Sequence, residues 1–104
     1  MVLLDYVGHN GLSLPREASS TPALWRELRA AARATGKGWA FPGGTGPIIT
    51  DDHTPFLRDR VPAVDLIDWS YPGHDATDTL DKLSRRSLDA VGETVVELLR
   101  RQQR

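Results

Sequence analysis

The acids and histidines of this chain gather in three places. The stretch T-D-D-H-T-P-F (residues 50–56) sets Asp51, Asp52 and His53 side by side. G-H-D-A-T-D-T (73–79) surrounds His74 with acids, and Asp5 interrupts the apolar opening run M-V-L-L-D-Y-V. Carboxylate oxygen and imidazole nitrogen are common ligands of zinc and related divalent ions. A neighbouring acid can orient a ligating imidazole through its other ring nitrogen. The 104 residues include no cysteine, so disulfides and thiolate sites are excluded and any metal must be held by His, Asp or Glu. No H-E-x-x-H, G-x-S-x-G or glycine-rich phosphate loop is present.

Each of these residues also has a plainer reading. Asp5 could cap a neighbouring loop at a strand end. Asp51-Asp52 could be a turn in which a side chain accepts from backbone N–H groups. His53 could be a packed structural histidine, and His9 and His74 plain surface. Asp78 and Asp81 shape the approach to the last helix. Trp25, Trp39 and Trp69 read as packing residues, with Trp69 and Tyr71 also suited to lining a pocket.

Positioning these side chains falls to a few elements. Residues 1–7 form an apolar run stopped by Gly8, a buried strand. Residues 9–21 read as a loop. Thr21-Pro22 makes a helix entrance, and Leu24, Trp25, Leu28, Ala31 and Ala32 recur at helical spacing until Gly36 and Gly38 end the helix near Thr35. The pattern predicts a short strand at 39–41, a loop over 42–47 and one helical turn at 54–57. A second strand follows over 61–67, with Pro62 tolerated near its start, then a polar loop over 68–81. Ser84 caps a final helix whose apolar stripe is Leu88, Val91, Val95, Leu98 and Leu99, and R-R-Q-Q-R is its solvated end. Alternating strands and helices imply an α/β fold with a mostly parallel sheet. Acids and histidines then follow the carboxyl ends of strands, where such sheets gather ligands. Two or three parallel strands and two amphipathic helices leave a sheet incompletely covered, as in one half of a larger domain.

Composition narrows the function classes. Lys and Arg number 13 against 14 Asp and Glu, for a net charge of −1, which supplies no basic excess for nucleic acid. No apolar run approaches the roughly 20 residues of a membrane span. The opening M-V-L-L-D lacks the charged and apolar regions of a secretory signal, and localisation stays open.

In series, L-L-D-Y-V-G, D-D-H-T-P-F-L, V-P-A-V-D-L-I-D and G-H-D-A-T-D-T-L-D-K-L-S resemble the C-terminal half of the co-catalytic zinc aminopeptidases. That family shares its fold with the glutaminyl-peptide cyclotransferases. The resemblance covers nearly the whole chain. It implies a single partial domain over 1–104, part of a three-layer αβα sandwich of the phosphorylase/hydrolase-like kind. It places Asp5 at a zinc-ligating aspartate of the aminopeptidases, which in the cyclotransferases instead joins a hydrogen-bond network beside a single zinc. His74 falls on the family's last zinc-ligating histidine, with Asp75 where threonine is usual. Asp52 and His53 fall on a D-H pair that supports the active site without ligating metal. Arg60 stands where glycine is common. The implied chemistry is hydrolysis of N-terminal peptide bonds assisted by two zinc ions about 3.5–4 Å apart. In a cyclotransferase, the amine of an N-terminal glutamine would attack its own γ-amide.

The same resemblance exposes what is missing. The family's H-x-D and paired-glutamate motifs do not occur here. Glu17, Glu27, Glu93 and Glu97 are the only glutamates, and they are expected in a loop or on helices away from the site. Two ligands, Asp5 and His74, fall short of the three or four that zinc needs, so the isolated chain is not expected to be a competent enzyme. A peptide substrate would require a completed site. The open sheet edge would accept the missing N-terminal half or another copy of the chain. A rival from another class is a non-catalytic α/β association module that keeps the polar cluster as inherited structure.

Overall fold

The structure, a computed structural model, describes residues 1–104. Two strands, β1 (Val2–Asp5) and β2 (Val64–Ile67), pair in parallel with Val2 opposite Val64 and Asp5 opposite Ile67. Between and after them lie helices α1 (Pro22–Ala34), α2 (Thr54–Arg58) and α3 (Arg85–Gln102). Successive strand residues point to opposite faces. Val2, Val64 and Leu66 therefore face one way, into a core shared with Leu24, Leu28 and Ala31 of α1 and Val91 and Leu98 of α3. Leu3, Asp5, Asp65 and Ile67 face the other way, toward the segment that carries His53. The result is a partial α/β sandwich: a small parallel sheet with its flanking helices. No helix is long and apolar enough to cross a membrane.

The two edges of the sheet differ. Along β2 the outer edge is sealed by residues 17–21. Thr21 N–H donates to the Ala63 carbonyl at 2.8 Å, Ala63 N–H to Thr21 Oγ1 at 3.0 Å and Asp65 N–H to Ser20 Oγ at 2.9 Å. The outer edge of β1 carries no backbone partner within this chain, and Leu4 beside it is 47% exposed.

Several local details depart from the sequence reading. The first strand ends at Asp5, because Tyr6 takes a φ of 51°, a left-handed conformation that breaks extension and is rare for an aromatic residue. Residues 39–41 are not a strand. Gly38–Ala40 form a 3₁₀ turn whose bonds are local, Ala40 N–H to Lys37 O and Phe41 N–H to Gly38 O. Thr21 sits at the start of α1, but its hydroxyl makes no helix cap and serves the β2 edge instead. On α3 the buried stripe is Ser87, Ala90, Val91, Thr94 and Leu98, while Leu88 and Leu99 on its flanks are half exposed. Ser84 does cap α3, accepting from Ser87 N–H.

Two helix ends explain two loops. After α1, Gly36 N–H bonds Arg33 O and Lys37 N–H bonds Ala32 O, with Gly36 at φ 74°. This is the Schellman arrangement that favours glycine. After α2 the same pair of bonds runs from Arg60 N–H to Leu57 O and from Val61 N–H to Phe56 O, with Arg60 at φ 60°. Arg60 thus occupies a left-handed position where a glycine would be unstrained.

Candidate functional site

Glu17 is the hub of the polar interior, 2% exposed. This overturns its expected place away from the site. It gets there because residues 16–18 pair with 45–47: Gly46 N–H reaches Arg16 O at 2.7 Å and Ala18 N–H reaches Pro47 O. The Glu17 carboxylate then accepts from Ser19 N–H and Ile49 N–H, both at 2.9 Å, and from the hydroxyls of Ser19 and Ser20. Burial by itself would push this carboxyl up. The N–H groups of Ser19 and Ile49, with the two hydroxyls, outweigh it and hold the acid below its usual range.

His53, fully buried, joins the hub through Nε2, 2.9 Å from Glu17 Oε1. Its Nδ1 faces Asp65 Oδ2 at 3.6 Å. Asp65 was not singled out from the sequence. A single acid in an apolar strand reads as an interruption, and only the pairing of β1 with β2 shows that it points at a histidine. Burial, then the charges of Asp51, Asp5 and Glu17, push Asp65 up to about 7. Asp51 lies close to both Asp65 and Asp5, and Asp5 is raised by its own burial and then by Asp51. Asp5 and Asp65 are thus both biased toward the protonated form. Asp52 lies exposed at the turn, where its N–H donates to Asp51 Oδ1 at 2.8 Å; the turn reading of Asp51-Asp52 is thus correct. Ser19 Oγ lies 3.1 Å from His53 Nε2, which with Asp65 mimics a nucleophile triad. The charged Glu17 at the same nitrogen requires Nε2 to carry a proton, so His53 cannot take one from Ser19.

At the carboxyl end of β1 lies an open cavity of about 400 Å³, lined by Tyr6, Trp69, Tyr71, Pro72, Gly73, His74 and Asp75. Trp69 is 60% exposed there, in the pocket-lining role open to it from the sequence. Trp25 is buried against Phe41, and Trp39 lies under the guanidinium of Arg86. His74 is exposed, edge-on to Tyr6 at 5.2 Å, and close enough to Asp5 to favour its charged form. Asp5 and His74 are thus neighbours, but no group of three His, Asp or Glu side chains converges as a metal ion would need. Asp5 also has the acid Asp51 beside it. The residues of this chain do not make a zinc site by themselves. His9 is not surface: it is 8% exposed, with Nε2 2.9 Å from Asp68.

The model of peptidase family M28 matches residues 1–99. Bovine (Bos taurus) glutaminyl-peptide cyclotransferase is 33% identical over 103 residues, covering 86% of this chain and 28% of that protein. The crystal structure of an Acidobacteriales bacterium glutaminyl cyclase superposes with a TM-score of 0.85 at 37% identity, over 95% of this chain and 37% of its own. A leucine aminopeptidase precursor from Bacteroides thetaiotaomicron gives 0.86 at 33% identity, over 93% and 36%. The chain belongs to peptidase family M28, within the fold that its peptidases share with the glutaminyl cyclases. It spans about a third of the length of these relatives.

Proposed function

We propose that this chain is the pocket-bearing part of a glutaminyl-peptide cyclotransferase-like domain, and that the portion its relatives carry in addition completes the catalytic centre. The observation that carries this reading is the setting of Asp5 among acids: burial and then the neighbouring Asp51 bias its carboxyl toward the protonated form, which suits a network acid better than a metal ligand. By the resemblance, the cyclotransferases place this acid in a network beside the metal, whereas the aminopeptidases use it as a ligand. Zinc, held mainly by residues from elsewhere with His74 contributing, would supply Lewis-acid chemistry in the completed domain. The residues of this chain would line the substrate pocket with Tyr6, Trp69 and Tyr71 and hold a proton on the Asp5 or Asp65 carboxyl. The bare β1 edge supports docking of the complementing portion. So does an open cavity of about 500 Å³ near the amino ends of the strands, where Val2, Leu24, Val61, Val95 and Leu98 are among the lining residues.

The second reading, a peptidase that releases N-terminal residues, is favoured by the family match and by the nearness of His74 to Asp5. One experiment separates them. The chain replaces the matching C-terminal part of the Acidobacteriales glutaminyl cyclase, and the chimera receives a peptide with N-terminal glutamine. Release of ammonia without free amino acid is the expected result. Release of free amino acid establishes the peptidase reading. A folded chimera with neither activity leaves the association module as the answer.

A further inference from the structure

His9, Asp68 and Gly73 lie outside the chemistry just described, yet together they fix one wall of the pocket. Asp68 is 2% exposed, and its carboxylate gathers three donors: Ser13 N–H at 2.9 Å on one oxygen, and the N–H and hydroxyl of Ser70 on the other; His9 Nε2 lies 2.9 Å from the first oxygen. The His9 ring so held lies flat against Tyr71, with centroids 4.2 Å apart and planes 12° from parallel. On its other sides Tyr71 meets Tyr6 edge-on at 5.8 Å, and its hydroxyl donates to Asp78 at 2.6 Å. A Cβ added at Gly73 would stand 2.7 Å from the Tyr71 ring and 3.1 Å from that of Tyr6. Tyr71 is therefore supported from one side by His9 and given room on another by the missing side chain of Gly73.

We propose that His9 and Asp68 are positioning residues: Asp68 orients the His9 ring, and that ring is the shelf that sets where Tyr71 closes the cavity beside Tyr6, Trp69 and His74. Neither residue touches the reacting atoms. What the cavity holds rests on the cyclotransferase-like reading; the positioning does not, and it can be observed without any ligand.

The test is side-chain NMR of the full chain, followed by kinetics in the chimera. In the wild type, ring protons of His9 and Tyr71 give mutual nuclear Overhauser effects, and the Tyr71 ring signals are shifted upfield by the imidazole. His9→Ala and Asp68→Asn abolish that upfield shift and move the Tyr6 and His74 signals, while methyl signals of Leu28 and Leu98 in the core stay in place. His9→Phe, which keeps a flat ring, restores most of the Tyr71 shift. In the chimera His9→Ala raises KM for the glutaminyl peptide about ten-fold with little change in kcat, well inside the roughly 100-fold that a 1 Å misplacement can cost. Unchanged Tyr71, Tyr6 and His74 signals in folded His9→Ala overturn the proposal. Should His9→Ala fail to fold, the wild type and His9→Phe decide it: no contact between the two rings, or no restored shift, sinks it equally. An inactive wild-type chimera counts against the cyclotransferase-like reading and leaves the NMR result standing.

Discussion

Two of the three histidines are buried against carboxylates, and their settings are opposite. His53 lies among Glu17, Asp65 and, one step further, Asp51 and Asp5, an excess of acid relieved by protons held on the carboxyls. His9 meets one carboxylate, Asp68, whose oxygens are filled by donors. The first cluster ties three distant segments, 17–20, 49–53 and the core of β2, into one piece, so its loss should be felt through the whole chain. The second lies behind a pocket wall made of loop, so its loss should be local. Burial is similar in both; what differs is how many elements each cluster joins and how much charge it must neutralise.

Removing the first cluster's centre gives the largest expected effect. His53→Ala takes the imidazole from Glu17 Oε1 and empties the space of a fully buried ring, at a cost of about 3–5 kcal/mol, as for other large buried rings cut to alanine. Against the roughly 5–15 kcal/mol typical of a domain, urea titration should show most of the stability gone. A change confined to a few tenths would refute the view of this cluster as the fold's central tie.

The sign reverses at Asp65. Its folded-state affinity for a proton exceeds the unfolded one, so the penalty for burying its charge is absent at low pH. The cost grows as pH rises from the ordinary carboxyl range, near 3.8, to about 7, and is complete above that. Asp65→Asn keeps the neutral form at every pH. It should raise stability at pH 8 by up to about 4 kcal/mol and flatten the decline between pH 4 and 7. Glu17, held low, works the other way: it stabilises above the ordinary carboxyl range and loses that contribution as pH falls through its depressed value. Chemical denaturation of wild type and Asp65→Asn across pH 3–8 separates the two.

Asp68→Ala tests the second cluster. It should cost about 1–3 kcal/mol and speed hydrogen exchange at Ser13 and Ser70 without altering exchange in α1. Loss of protection in α1 would erase the contrast between the clusters. The smallest effect belongs to the turn after α2. Arg60→Gly relieves the left-handed strain but frees the unfolded chain, for a net gain of about 0.5–1 kcal/mol, readable as a modest rise in the midpoint of thermal unfolding.

Much of this was legible in the residues. The bounds of α1 and the cap of α3 follow from Thr21-Pro22, Gly36 and Ser84, because helix ends are written in residues that sit at the ends themselves. The pairing of β1 with β2 and the partial character of the sandwich follow from apolar runs and their count. Residues 39–41 depart from the expected strand because Trp, Ala and Phe suit a strand, while the glycines before them favour a 3₁₀ turn that no strand partner competes against.

The sequence by itself determined which residue types are available, the order of strands and helices, the absence of cysteine chemistry and the family to which the chain belongs. These are local or cumulative properties, recorded residue by residue. Only the tertiary structure decided that Glu17 reaches His53 across the chain, that Asp65 faces inward beside it, that Asp51 comes close to Asp5, and that His9 is a buried shelf instead of a surface group. Each of those depends on the register of β1 against β2 and on the 16–18 segment pairing with 45–47. Such contacts are set by packing between segments far apart in the chain, and no local residue pattern encodes which acid will meet which histidine.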